Sequence, residues 1–172
     1  MKVTSAQAAK ILRKIMNEAD DLLRLENKCS TFMAAVGEDP ETVRPAYSFE
    51  ETRAKEKELH EKIRKLKHAI NIFNSTTKVP GFDMTVDEVL VYLPQLSASV
   101  SRLDTMKSAL PKERAESYGR QNVGLIDYRY ANYDIAKAEE EYRKAANTLA
   151  EIQLALDTVN NTVEFEIDDI NI

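Results

Sequence analysis

The chain has 172 residues, which suits one domain or one extended module. Charged residues make up 31% and hydrophobic ones 43%, which excludes a disordered composition, and only 4 Gly and 5 Pro imply few turns and long regular elements. The formal charge of -5 argues against a general nucleic-acid binder, whose affinity rests on neutralising phosphates.

The first predicted helix carries a seam at alternating spacings of four and three residues. It reads Ala8, Leu12, Ile15, Ala19, Leu22, Glu26, Cys29, Met33, Val36. Glu26 is its one charged member, and neighbouring Leu25 is expected to fill that place. The opening segment lacks a continuous apolar stretch of the kind a signal peptide needs. The single Cys29 excludes a disulfide within the chain and, on an apolar stripe, reads as a small buried residue in a reducing, cytoplasmic setting. "VGEDPETVRP" then stops the helix with two prolines and a glycine.

Ser48 and Glu51 have capping-box spacing before the second helix, with seam residues Leu59, Ile63, Leu66, Ile70 and Phe73. Its mixed run of Lys, Arg and Glu over 55–67 reads as a solvated face laced with ion pairs. This helix leaves through "NSTTKV", and "VPGFD" separates it from the third. Thr85 and Glu88 repeat the capping spacing, followed by Val89, Leu93, Leu96, Val100, Leu103, Lys107 and Leu110. Pro94 removes a helical hydrogen bond, so a kink or restart is expected near Tyr92–Pro94. The run "VLVYL" is far shorter than a membrane span.

"VGLIDYRYANY" over 123–133 puts Ile126, Tyr128 and Tyr130 on one side of an extended segment. Asp134 can cap the fourth helix, which reads Ile135, Ala138, Tyr142, Ala145, Leu149, Ile152, Leu156, Val159. It leaves through "NNTVEFEID", where Val163, Phe165 and Ile167 alternate with Glu164, Glu166 and Asp168 as in a half-buried strand. Asn74 and Asn160, which tolerate a left-handed backbone, are expected to end the two helices, with Thr76 and Thr162 starting the extended exits.

The chain therefore reads as mainly α. It is one domain over 1–172, made of two long antiparallel helical hairpins, 4–79 and 85–168, in coiled-coil-like packing with short extended segments near 123–131 and 162–168. Those two segments flank a helix roughly 40 Å long by its rise, so they cannot pair directly. Either the two exit segments pair together, or strands pair across a subunit boundary. The second possibility points to a homo-oligomer contacting through Tyr128, Tyr130, Tyr133, Val163, Phe165 and Ile167. Tyr118 and Tyr142 extend the same tyrosine cluster, which suits a recognition patch or packing at a bundle end.

Chemistry-bearing motifs are scarce. There is no Gly-rich phosphate loop and no Cys/His metal spacing, and His60 and His68 lie too far apart for adjacent-turn ligands. No cofactor, catalytic residue or metal ligand is assigned. Glu18 with Asp21, and Glu58 with Glu61, have the one-turn spacing by which all-helical nucleotide pyrophosphohydrolases hold Mg²⁺, but the heptad register turns Glu58 and Glu61 outward. The leading expectation is a self-associating helical interaction protein without nucleic-acid or membrane partners. The alternatives are a Mg²⁺-dependent nucleotide hydrolase and a prefoldin-like client holder.

Ile70-Asn71-Ile72-Phe73-Asn74-Ser75-Thr76 and Leu156-Asp157-Thr158-Val159-Asn160-Asn161-Thr162 carry an Ile-Asn/Gln-x-x-Asn-x-Thr-type pattern, with Asp157 standing where an amide is expected. This resembles a family of small uncharacterised bacterial proteins, some labelled septicolysin-like. The resemblance implies two long helical hairpins over nearly the whole chain. It implies no established activity.

Overall fold

A computed structural model describes residues 1–115 and 127–167. In chain order the described elements are β1 (Lys2–Thr4), α1 (Ser5–Cys29), α2 (Pro40–Val43), α3 (Phe49–Thr76), α4 (Val86–Lys107), β2 (Lys112–Arg114), β3 (Tyr128–Tyr130), α5 (Ile135–Thr162) and β4 (Glu164–Glu166). The protein is mainly helical. It divides into two compact units, one formed by Met1–Thr77 with the chain from Thr158 onward, the other by Lys78–Asp157.

In the first unit α1 packs on α3. The seam residues Ala8, Ile15, Leu59 and Leu66 are buried together with Val3 and Ile167, flanked by Leu12, Ala19, Leu22, Ile63 and Ile70. Glu26, near the end of α1, bonds Arg53, near the start of α3. Phe165, opposite Val3 ahead of α1, stacks on Phe73 near the end of α3. These two contacts set α1 and α3 antiparallel.

α1 ends at Cys29, seven residues short of the predicted end, and Met33 and Val36 are fully in solvent. An amphipathic helix persists only where a partner covers its stripe, and α3 begins only at Phe49, with Arg53 already opposite Glu26. Beyond Cys29 no α3 surface is left to bury the stripe. Cys29 itself is half-buried. The connection folds as a turn around Gly37 at φ +91 and then the short α2, capped by Asp39.

Glu26 keeps its seam place and Leu25 does not replace it. The Glu26 side chain is 17% exposed, whereas Leu25 is 51% exposed. A carboxylate is tolerated there because it is satisfied. It accepts from the Tyr47 hydroxyl at 2.9 Å and from Arg53, which also reaches Glu56 at 2.7 Å.

In the second unit, Val79-Pro80-Gly81-Phe82 forms a turn closed by the Phe82 amide on the Val79 carbonyl at 3.1 Å. Pro at the second position and Gly81 at φ +83 in the third are what such a turn demands. α4 runs unbroken through Pro94. Pro94 lies on the exposed face, and the carbonyl it would have bonded belongs to exposed Leu90, where water can replace the lost donor. α4 ends before Leu110, which precedes a proline, is thereby pushed out of helical geometry and is exposed. Asp134 caps α5 through the Ala136 amide at 2.9 Å. Tyr142 of α5 lies under the Lys107 ammonium, 3.5 Å from its ring centre. On α5, Ala138, Ile152 and Leu156 are buried, with Leu149 half-buried, as the seam spacing predicts; Val159, on the part of α5 that belongs to the first unit, is buried as well.

The predicted extended segments exist, but their pairing is not the expected one. β4 pairs antiparallel with β1, and β3 pairs antiparallel with β2. Both partners belong to the same chain, and neither was foreseen. The geometric misfit that pointed to strands crossing a subunit boundary is thereby removed. Thr162 is the last helical residue, ahead of the strand, and residues 123–126 and Asp168, assigned to the two extended segments, lie outside the described residues.

Candidate interaction sites

Both helix exits end on threonine. Thr76 and Thr162 are each the last helical residue, and each hydroxyl donates back to a carbonyl one turn earlier, on Ile72 and Thr158, at 2.7 Å. The next amide, of Thr77 or Val163, still bonds the preceding turn at 2.9 and 3.0 Å. Asn74 and Asn160 lie inside the helices, and no non-glycine residue among those described has positive φ. The exits are thus not left-handed asparagine stops. Each threonine hydroxyl back-bonds a carbonyl that the helical ladder already uses, and the β-branched residue turns the chain into the extended exit.

Each exit leads to an antiparallel pairing opposite a capping threonine. Lys78 pairs with Thr85, and Glu164 pairs with Thr4. Both threonines form complete capping boxes. Thr4 takes the Gln7 amide at 3.3 Å and gives its own amide to Gln7 Oε1 at 3.0 Å. Thr85 takes the Glu88 amide at 3.3 Å and gives its amide to Glu88 Oε2 at 2.7 Å. These bonds to the charged form hold the Glu88 carboxyl below the usual range. At Ser48 the hydroxyl accepts the Glu51 amide at 3.4 Å.

Of the residues expected to make interactions, Ile167 is buried and Phe165 is half-buried against Phe73 with ring centres 4.7 Å apart. Both serve the first unit's own core. Val163 is partly exposed and, with Phe165, lines a cleft of about 330 Å³. The cleft runs between the last turns of α3, from Lys65 through His68 and Ile72 to Thr76, and Val163–Glu166. Sequence reasoning missed its helical wall. The one signal was Ile72, an isoleucine off the seam register, which is 50% exposed there.

The other expected residues gather on the β2–β3 ribbon. Cross-strand partners share a face, so Lys112, Arg114, Tyr128 and Tyr130 lie on one side and Glu113 and Arg129 on the other. Arg129 bonds Glu113 at 3.0 Å across that second side. On the first, the Lys112 ammonium sits 4.0 Å from the Tyr128 ring centre and 5.4 Å from that of Tyr130. Both tyrosines are exposed. The Tyr133 hydroxyl instead donates to the Met106 carbonyl at 2.9 Å. Tyr118 lies outside the described residues.

Of the acidic residues considered as Mg²⁺ ligands, Asp21, Glu58 and Glu61 have other partners. Asp21 bonds Arg24 at 2.7 Å, Glu58 bonds Lys62 at 2.7 Å and Glu61 bonds Lys65 at 2.9 Å. Their lysines hold the Glu58 and Glu61 carboxyls below the usual range. Glu18 and Asp21 are exposed on α1, and no group of three metal-ligating side chains converges among the described residues. His60 and His68 are on the surface of α3.

The arrangement defines a mainly helical protein with short strand pairs and exposed aromatic and cleft surfaces. Neither a family model nor a curated protein sequence matches the chain. A crystal structure of a functionally unknown conserved protein from Corynebacterium diphtheriae is similar in fold, with a TM-score of 0.60 over 96% of this chain and 100% of that one. At 18% identity the likeness concerns the fold alone.

Proposed function

We propose that the protein is a doubled helical hairpin that acts by association, with the tyrosine face of the β2–β3 ribbon contacting a second copy. The repeat reading is supported by the two threonine exits and the two threonine capping boxes, which recur with the same bonds. It agrees with the hairpin family whose members are in part labelled septicolysin-like. The observation that carries the association is the ribbon face. Tyr128 and Tyr130 stand exposed beside Lys112 and Arg114, while the reverse face is closed by its own ion pair. Two exposed tyrosines offer large rigid contact area with polar tips. The neighbouring cations suit the surplus of acidic side chains on a chain of net charge -5.

Light scattering coupled to size exclusion tests this. The protein should exceed the mass of one chain, and Tyr128→Ser/Tyr130→Ser should bring the mass down to it with unchanged circular dichroism. A wild-type protein of single-chain mass throughout the micromolar range would remove the proposal.

A further inference from the structure

Among the described residues, strand β4 has one edge in use and one open. Met1 and Ile167 exchange both backbone bonds, at 2.8 and 2.9 Å. Antiparallel pairing alternates bonded and non-bonded pairs. Val3 and Phe165 are therefore the next bonded pair, and the Lys2–Glu166 and Thr4–Glu164 pairs turn their amides and carbonyls away from each other. The Thr4 amide fits this, since it turns to Gln7. The amides and carbonyls of Glu164 and Glu166 thus point to the far edge of β4.

That edge borders the 330 Å³ cleft. Residues of β4 and α3 line it and none of β1 does, so it lies on the side of β4 away from β1. The Phe73–Phe165 stack and half-exposed Ile72 supply its apolar surface. The Glu164 and Glu166 side chains are exposed, on the face of the strand opposite to Phe165.

We propose that this cleft is a strand-docking groove that takes an extended peptide segment of a partner protein with the pattern basic–apolar–basic. Pairing rules dictate the pattern. A residue opposite Phe165 shares its face and enters the cleft against Ile72. Its two neighbours lie opposite Glu164 and Glu166, where like charge destabilises and opposite charge attracts. β1 already obeys the same rule on the other edge, with Val3 opposite Phe165 and Lys2 opposite Glu166. Three residues span about 10 Å at the usual rise per residue, and the cleft volume lies within the range of small-ligand sites. Main-chain bonds supply affinity and the alternating side chains supply selectivity. This groove does not involve the tyrosine ribbon, so it stands or falls independently of self-association.

Fluorescence anisotropy with three labelled peptides on the full chain decides it: Thr-Lys-Val-Lys-Thr, Thr-Glu-Val-Glu-Thr, and the first with its lysine amides N-methylated. The lysine peptide should bind, the glutamate peptide about tenfold more weakly from two reversed cross-strand pairs, and the N-methylated peptide not measurably. Glu164→Lys/Glu166→Lys changes only exposed side chains, so circular dichroism should be retained while the preference between the first two peptides inverts. Failure of all three to bind, equal binding of the lysine and glutamate peptides, undiminished binding of the N-methylated one, or an unchanged preference in the variant would each overturn the proposal.

Discussion

The pair Leu66→Ala and Leu25→Ala separates the packing of α1 on α3 from a looser hydrophobic stripe. Leu66 is 0% exposed, inside the cluster of Ala8, Ile15 and Leu59. Its truncation removes buried methyl and methylene groups, each costing about 0.8 kcal/mol in transfer alone. Cavity formation adds to this, because the two long helices are tied at one end by the Glu26–Arg53 bond and at the other by the β1–β4 pair stacked on Phe73, and cannot collapse freely onto the vacated space. The expected cost is about 3–5 kcal/mol, the upper part of the range for buried leucines. Leu25 lies one residue before Glu26 and is 51% exposed, so its truncation should fall within about 0.5 kcal/mol of zero. Urea unfolding followed by far-ultraviolet circular dichroism measures both, with an unchanged slope as the check that the denatured state is comparable. A Leu25→Ala cost equal to that of Leu66→Ala would refute the register and restore leucine to the seam.

The remaining predictions use the same unfolding assay. Thr4→Ala and Thr85→Ala should each cost about 1 kcal/mol through a lost cap. Gly81→Ala should cost about 1–2 kcal/mol from left-handed backbone strain alone, since nothing lies within 4 Å of the added carbon. Deleting Glu164–Ile172 should destabilise the fold, because it removes the partner of β1 and the buried Ile167, and should leave the assembly mass per folded chain unchanged. Glu88 titrates below its ordinary value because Thr85 hydrogen-bonds its charged form. Its stabilisation is therefore fully present above the ordinary carboxylate pKa and is lost as pH falls through the depressed folded value. Acid titration of Glu88→Gln should accordingly be flatter than wild type across that window.

The long helices were legible because burial repeats. Each of Ala8, Ile15, Leu59, Leu66, Leu96, Ile152 and Val159 lies on its predicted seam and is buried. The capping spacing at Thr85–Glu88 and the asparagine-to-β-branched exits also located real boundaries, although threonine, and not asparagine, forms the last turn. The misses have a common cause. β1 and β2 are three residues each, too short for alternation to register, and β1 merges in sequence with the capping residues of α1. Missing them made β3 and β4 look partnerless. The predicted run of α1 to Val36 exceeds the helix because apolar spacing continues past the point where α3 can cover it.

The same limit explains why the cleft was hidden. A seam count assigns Ile72 to nothing, because neither neighbouring seam position of α3, Ile70 or Phe73, includes it. It becomes intelligible only once β4 is placed beside the last turns of α3, leaving Ile72 at a wall rather than in a core. An exposed isoleucine one residue off a well-buried stripe costs solvation without contributing to the α1–α3 contact. Ile72→Ser should therefore leave stability within about 0.5 kcal/mol of wild type while weakening the lysine peptide in the anisotropy assay. If instead stability fell as it does for Leu66→Ala, Ile72 would be packing within the chain and the open wall of the groove would not exist.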